Sequence, residues 1–213
     1  MNVSPITLEP MQAKYNQPVS RLLVESFRNK FQPLTKMSDS ELARCFEILL
    51  HHFPDEPASQ RAVAVQNGEV VGTLSLKWKT AEETKQENLF PPWDEFKTFG
   101  KWQLLKLTIG LYCLTHQLKV GECYIADVAV HPLHQGKGVG KLLMQWALNE
   151  WQDRPQLDQL SLHVSGKNQR AKQLYEQLSF RTETRQQSLT SLLLFKEYEW
   201  EYMVRQRRAG ESA

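Results

Sequence analysis

The sequence predicts a mixed α/β fold in which a sheet carries helices on its faces. Three observations predict it. In "RAVAVQNGEVVGTLSLKWK" two β-branched runs flank Asn67-Gly68, a dipeptide that favours the tight turn of an antiparallel hairpin. The dense apolar strand "CYIADVAV" stops at Pro132 and passes through the glycine-rich "HPLHQGKGVGKLL" into a helical pattern over 141–151. A further strand, "LDQLSLHV", then precedes a helical stripe of Ala171, Leu174, Tyr175 and Leu178.

The remaining elements follow in chain order. "ITLEPM" reads as a short opening strand. Residues 18–31 carry apolar side chains at 19, 22, 23 and 27, a helical spacing. Residues 40–53 repeat it with Leu42, Phe46, Leu49 and Leu50, with Ser38 or Ser40 as cap and His51 and His52 at the helix end, where a cation suits the dipole. Residues 80–120 break the rhythm with a polar linker, then "FPPWDEF", then an apolar helix over 102–118. This is a helical insertion, too small to hold a core of its own. The end alternates from Phe195 onward and predicts a last strand. The expected organisation is one domain over 1–205 with the insertion at 80–120, and a tail over 206–213. The "RQRR" at 205–208 reads as a solvated stretch.

Bulk properties exclude several classes. A chain of 213 residues buries a core without staples. The net charge of +2 is too small to argue for nucleic acid. The apolar run at 102–118 falls short of a membrane span of about 20 residues and carries Lys106, His116 and Gln117, so no membrane is expected. Cys45, Cys113 and Cys123 form no CxxC pair, and their odd number points to a reducing cytoplasm. His131 and His134 form an HxxH without a third ligand, so no metal is expected.

The glycine loop carries the chemistry. A helix N-terminus presents unpaired N–H groups and a partial positive charge. Gly136, Gly138 and Gly140 let that backbone approach an anion, and Lys137 and Lys141 add charge. The nucleotide loop GxxxxGK[ST] is absent, and the dinucleotide GxGxxG fails because its last glycine would be Lys141. What fits is Gln135-x-x-Gly138-x-Gly140 directly after a strand ending "VAVHP".

With that loop the sequence resembles the GNAT superfamily, N-acetyltransferases that use acetyl-CoA, whose pattern is a strand, [Q/R]xxGx[G/A] and a helix. A second match lies downstream in "NQRAKQLYEQLSF". Asn168, Ala171, Leu174, Tyr175 and Phe180 fall in the family's register, and Ser179 replaces the usual glycine. The resemblance covers most of the chain, outside 80–120. It implies a mostly antiparallel central sheet with helices on both faces. It also implies that strands 123–130 and 157–164 splay to admit the pantetheine arm.

By the same resemblance the backbone of Val128, Ala129 and Val130 pairs with that arm. Gln135, Gly136, Lys137, Gly138, Val139, Gly140 and Lys141 hold the diphosphate. Asn168 caps its helix or bonds the cosubstrate, and the two roles are compatible. The implied reaction is direct attack by a primary amine of a small molecule or peptide N-terminus in a ternary complex. Tyr175 stands where the family has its general acid. Attack requires an unprotonated amine, which calls for a base. Glu122 is the favoured base or water-holder and Asp127 the reserve. Strict alternation puts 122, 124, 126, 128 and 130 on one side and Asp127 on the other. His163 reads as a satisfied sheet residue.

In the insertion, Trp93, Phe96, Phe99, Trp102, Leu105, Ile109 and Tyr112 are expected to wall an acceptor pocket or to form a homodimer interface, the plain alternative being packing on the core. The rival functions are a non-catalytic acyl-CoA-binding sensor or structural module and, more weakly, an ATP-binding protein.

Overall fold

The computed structural model describes residues 4–52, 58–81, 93–188, 192 and 195–207. Its strands are β1 (Thr7–Pro10), β2 (Ser59–Gln66), β3 (Glu69–Lys79), β4 (Glu122–Val130), β5 (Gln159–Ser165), β6 (Arg181–Gln187) and β7 (Glu199–Gln206). Its helices are α1 (Asn16–Phe31), α2 (Asp39–His52), α3 (Lys101–Leu114), α4 (Val139–Gln152) and α5 (Gln169–Gln177). The strands form one sheet in the order β1-β2-β3-β4-β5-β7-β6. The β4–β5 pair is parallel and the other five are antiparallel. The expected mixed, mostly antiparallel sheet is therefore present.

Local chemistry explains the turns. Asn67 and Gly68 both adopt positive φ, 53° and 78°, as a tight hairpin requires. Ser38 caps α2 reciprocally: its hydroxyl accepts from the Glu41 N–H, and the Glu41 carboxylate accepts from the Ser38 N–H.

Helices cover both faces. On one side Leu143, Met144, Ala147 and Trp151 of α4 and Tyr175 of α5 pack on Leu74, Leu76, Leu160, Leu162 and Met203. The α4 helix lies close to the sheet at Gly72, where a Cβ would meet Val139 at 2.8 Å. On the other side Val19, Leu22 and Leu23 of α1 bury Val63, Val65 and Ala129. A separate apolar cluster joins α1 and α2 to the insertion through Phe31, Leu34, Phe96, Phe99 and Leu107.

Four expectations change. First, the insertion does pack on the core, through Phe96, Phe99 and Leu107, while Trp102, Leu105, Ile109 and Tyr112 remain exposed on the outer face of α3. Residues 82–92, which hold most of the polar linker, lie outside the described residues. Second, α3 ends at Leu114 instead of running to 118, because Thr115 is extended at φ −73°, ψ 122°. Third, β6 was not anticipated. Its sequence "RTETRQQ" is almost wholly exposed and lies at the sheet edge on β7, so no apolar alternation marks it. Fourth, the last strand starts at Glu199, while Phe195 packs with the α1–α2 cluster instead. At its other end, Arg205 donates to the Leu178 carbonyl, and Arg207 donates to the carbonyls of Trp151 and Arg154, so these two cations are taken up inside the fold. Residues 208–213 lie outside the described residues.

Candidate active site

The site begins with an irregularity in β4. Ser75 of β3 stands opposite Asp127, but Leu76 stands opposite Ile125, so Ala126 is an extra residue on β4. Parallel pairing with β5 covers Glu122 to Ile125 and stops at Ile125–Leu162. Both strands continue, β4 to Val130 and β5 to Ser165. The sheet is thus open between Ala126–Val130 and His163–Ser165.

The extra residue also reverses the alternation. Cys123 and Ile125 face α4, and after the bulge Val128 and Val130 face α4 as well. Ala129 packs under α1. Strict alternation is therefore corrected: Val128 and Val130 do not share the side of Glu122 and Tyr124. Asp127 does share it, because its carboxylate receives two bonds of 2.7 Å from the Arg61 guanidinium, which also donates to Thr73.

Beyond β4 the chain makes a single 3-10 turn, Pro132–His134, and enters the glycine loop. His131 caps that turn by accepting from the Leu133 N–H. Gly136 and Gly138 adopt φ of 80° and 86°, the left-handed region that a side chain resists, and Gly138 is the N-cap of α4. A Cβ on Gly138 would meet nothing within 4 Å, so the space beside the α4 N-cap is open. Lys137 and Lys141 are exposed beside it. Gln135 donates through its side chain to the Val130 carbonyl at 3.3 Å.

Helix α5 completes this side. Asn168 is its N-cap and accepts from the Ala171 N–H at 3.1 Å. Arg170 extends over the loop, its guanidinium 2.8 Å from where a Gly136 Cβ would lie. Sequence reading missed this cation, because it occupies an unconstrained position between Asn168 and Ala171. Tyr175 is buried against Phe180, with ring centroids 6.1 Å apart, and burial pushes its phenol up to about 12. It holds its proton at neutral pH.

On the α1 side, a polar cluster stands where the strands part. Glu122 is fully buried. Its carboxylate accepts from His116 Nε2 at 2.8 Å, the Lys119 N–H at 2.8 Å, the Ser161 hydroxyl at 2.5 Å and the Tyr202 hydroxyl at 2.7 Å. Burial alone would raise its pKa, but these four donors outweigh that and hold it at about 2. Tyr124 contacts His163, hydroxyl to Nδ1, at 3.1 Å. Burial lowers His163 to about 4, so it is neutral at pH 7. The His116 ring lies 4.4 Å from Tyr124, 5.1 Å from His163 and 5.6 Å from Tyr202. Of this set only Glu122 was singled out for chemistry by the sequence. The sequence marks His163 as a plain sheet residue, and nothing in its pattern points to His116, Tyr124, Ser161 or Tyr202.

The arrangement can receive an extended chain along the unpaired edge of β4 and an anion at the α4 terminus, with a polar cluster on the opposite face of the sheet. Among the described residues no group of three or more His, Cys, Asp or Glu is placed to hold a metal, and no helix is long and apolar enough to cross a membrane.

Solved structures share this fold. The ribosomal-protein-S18-alanine N-acetyltransferase from Escherichia coli is 14% identical, with a TM-score of 0.56 over 98% of this chain and 99% of that one. NAA60 from Arabidopsis thaliana, solved in complex with acetyl-CoA, is 16% identical, with a TM-score of 0.59 over 95% and 98%. A variant of the spermidine N-acetyltransferase SpeG from Vibrio cholerae is 18% identical, with a TM-score of 0.59 over 94% and 93%. At such identities the likeness carries the fold alone, that of the acyl-CoA N-acyltransferases. No curated protein sequence matches this chain. Residues 21–180 match the model of the Acetyltransferase (GNAT) family, well over half of the chain, and the chain belongs to that family.

Proposed function

We propose that this chain is an acetyl-CoA-dependent N-acetyltransferase that acts on a primary amine of a small molecule or a peptide N-terminus. One observation carries the reading: β4 and β5 part at Ile125–Leu162, and the free edge of β4 leads straight into a left-handed glycine loop capping a helix. Main-chain polar groups left without partners are costly, and a bound amide chain is a natural partner for them. The backbone of Val128, Ala129 and Val130 takes the pantetheine amides. Gln135 to Lys141 grip the diphosphate, with Asn168 at the α5 cap beside them. Arg170 joins Lys137 and Lys141 as a third cation. Bound there, acetyl-CoA supplies an activated acetyl thioester.

Tyr175 holds a proton at neutral pH and is the acid for the leaving sulfur. An amine acceptor is supported by relatives named for spermidine and for an alanine of a ribosomal protein. A cytoplasmic enzyme, alone or as a homodimer through the exposed stripe of α3, is the matching cellular reading.

The test is thiol release. The protein is mixed with acetyl-CoA and a panel of polyamines, small primary amines and peptides with free N-termini. Thiol release that depends on the amine is the expected result. Saturable binding of acetyl-CoA with no release from any amine would instead establish a binding module.

A further inference from the structure

We propose that His116 is the residue that takes the proton from the acceptor amine, and that Glu122 is a positioning residue that fixes the imidazole for this task. The inference rests on the N-acetyltransferase reading above and assigns the base that the reaction needs.

Geometry argues against the two carboxylates. A base needs a lone pair that the proton donor can reach. Glu122 is fully buried, with Oε1 accepting from His116, Ser161 and Tyr202 and Oε2 from the Lys119 N–H, and Asp127 is held in a two-point ion pair by the Arg61 guanidinium. His116 differs. Its Nε2 lies 2.8 Å from an ionised carboxylate, so Nε2 carries the hydrogen and Nδ1 keeps its lone pair. Its side chain is 15% exposed, against 1% for Glu122, so it alone of this pair is open to a proton donor. The chain delivers it there because α3 stops at Leu114 and the following segment extends back to the sheet.

The surroundings suit the role. His116 packs on Tyr124, next to the last β4 residue paired with β5, and on His163, the first β5 residue past that pairing. The charged and titratable groups facing it are Glu122 and Tyr124 from β4, His163 from β5 and Tyr202 from β7. A neutral His163 adds no repulsion when His116 becomes an imidazolium, and Glu122 stabilises that cation. The step balances. As the N–C bond forms and the C–S bond breaks, His116 Nδ1 accepts the proton that nitrogen loses, and Tyr175 gives one to the departing sulfur. A proton passing from His116 to Tyr175 through solvent restores both.

The experiment has two arms on the full chain. In the free protein, a long-range 15N–1H spectrum of labelled histidine, assigned by loss of a signal in His116→Asn, reads the tautomer. Hydrogen on Nε2 is expected, with both tautomers populated in Glu122→Gln. Hydrogen on Nδ1 would overturn the proposal without any activity measurement. In the assay, His116→Asn should lose kcat by about 100-fold with KM for acetyl-CoA changed less than about twofold, the scale of a lost general base. Imidazole should restore part of the turnover of His116→Ala. An active wild type beside a fully active, folded His116→Asn removes His116 and leaves the enzyme reading intact. A wild type that releases no thiol with any amine removes both.

Discussion

The buried carboxylate at the centre of the site makes a measurable demand on folding. Replacing Glu122 with Gln keeps the size and removes the charge. In the folded chain the carboxyl sits at about 2 instead of its ordinary 4.5. At about 1.4 kcal/mol per pH unit, that gap corresponds to about 3 kcal/mol of stability. The sign follows from the direction. A depressed folded value gives stability that is complete above pH 4.5 and is lost as pH falls towards 2. Linkage between 4.5 and about 2 gives a loss of about 2 kcal/mol from neutrality to about pH 3. The variant has no such carboxyl, so its deficit against the wild type should be full above pH 4.5 and be smaller by about 2 kcal/mol at about pH 3. His163 titrates near 4 in the wild type and stays in the variant, so most of its contribution cancels in the difference. Urea denaturation of both proteins across this range is the assay. A deficit that stays constant with pH would show that the carboxylate is not held ionised by His116, Lys119, Ser161 and Tyr202.

Three further outcomes are expected. Gly138→Val places a β-branched residue at φ 86° and fills the open space at the α4 N-cap, so calorimetry should show acetyl-CoA affinity reduced more than about tenfold in a folded protein; unchanged affinity would contradict the loop as the diphosphate site. Tyr175→Phe should lower kcat by about 100-fold while leaving acetyl-CoA binding nearly intact, and unchanged turnover across pH would remove it as the acid. Gly110→Val puts a Cβ against Leu34, where α3 lies on the α1–α2 connection, and should lower stability by about 1–3 kcal/mol by thermal unfolding; a neutral result would mean that α3 does not lie on Leu34.

What the sequence made legible was what lies contiguous along it. Gln135, Gly138 and Gly140 fall within six positions, and Asn168 to Phe180 repeat at helical spacing, so loop and α5 cap could be placed by counting. The Glu122 cluster could not. Its donors come from positions 116, 119, 161 and 202, and only the sheet order β4-β5-β7 brings Ser161 and Tyr202 alongside. The polar β6 was hidden for a different reason: an edge strand with an uncovered face needs no apolar alternation. Likewise the arginines at 205 and 207 look like a solvated run, yet Arg207 lies over the Trp151 ring at 5.1 Å and donates to carbonyls at the end of α4.

A single residue, Ala126, ties the fold to its site. A bulge bends its strand and sharpens the local twist. Here it falls immediately after Ile125, where pairing with β5 ends, so the deformation and the opening coincide. The same extra residue turns Val128 and Val130 toward α4 and leaves Asp127 on the side of Glu122 and Tyr124. Were Ala126 paired in regular register instead of bulged, strict alternation would send Asp127 to the α4 face, into a layer of Leu143, Met144 and Leu162, with Arg61 on the other side of the sheet. A buried, unpaired carboxylate there would cost several kcal/mol. The Arg61–Asp127 pair therefore holds the bulged register in place, and the bulged register holds the sheet open beside the glycine loop.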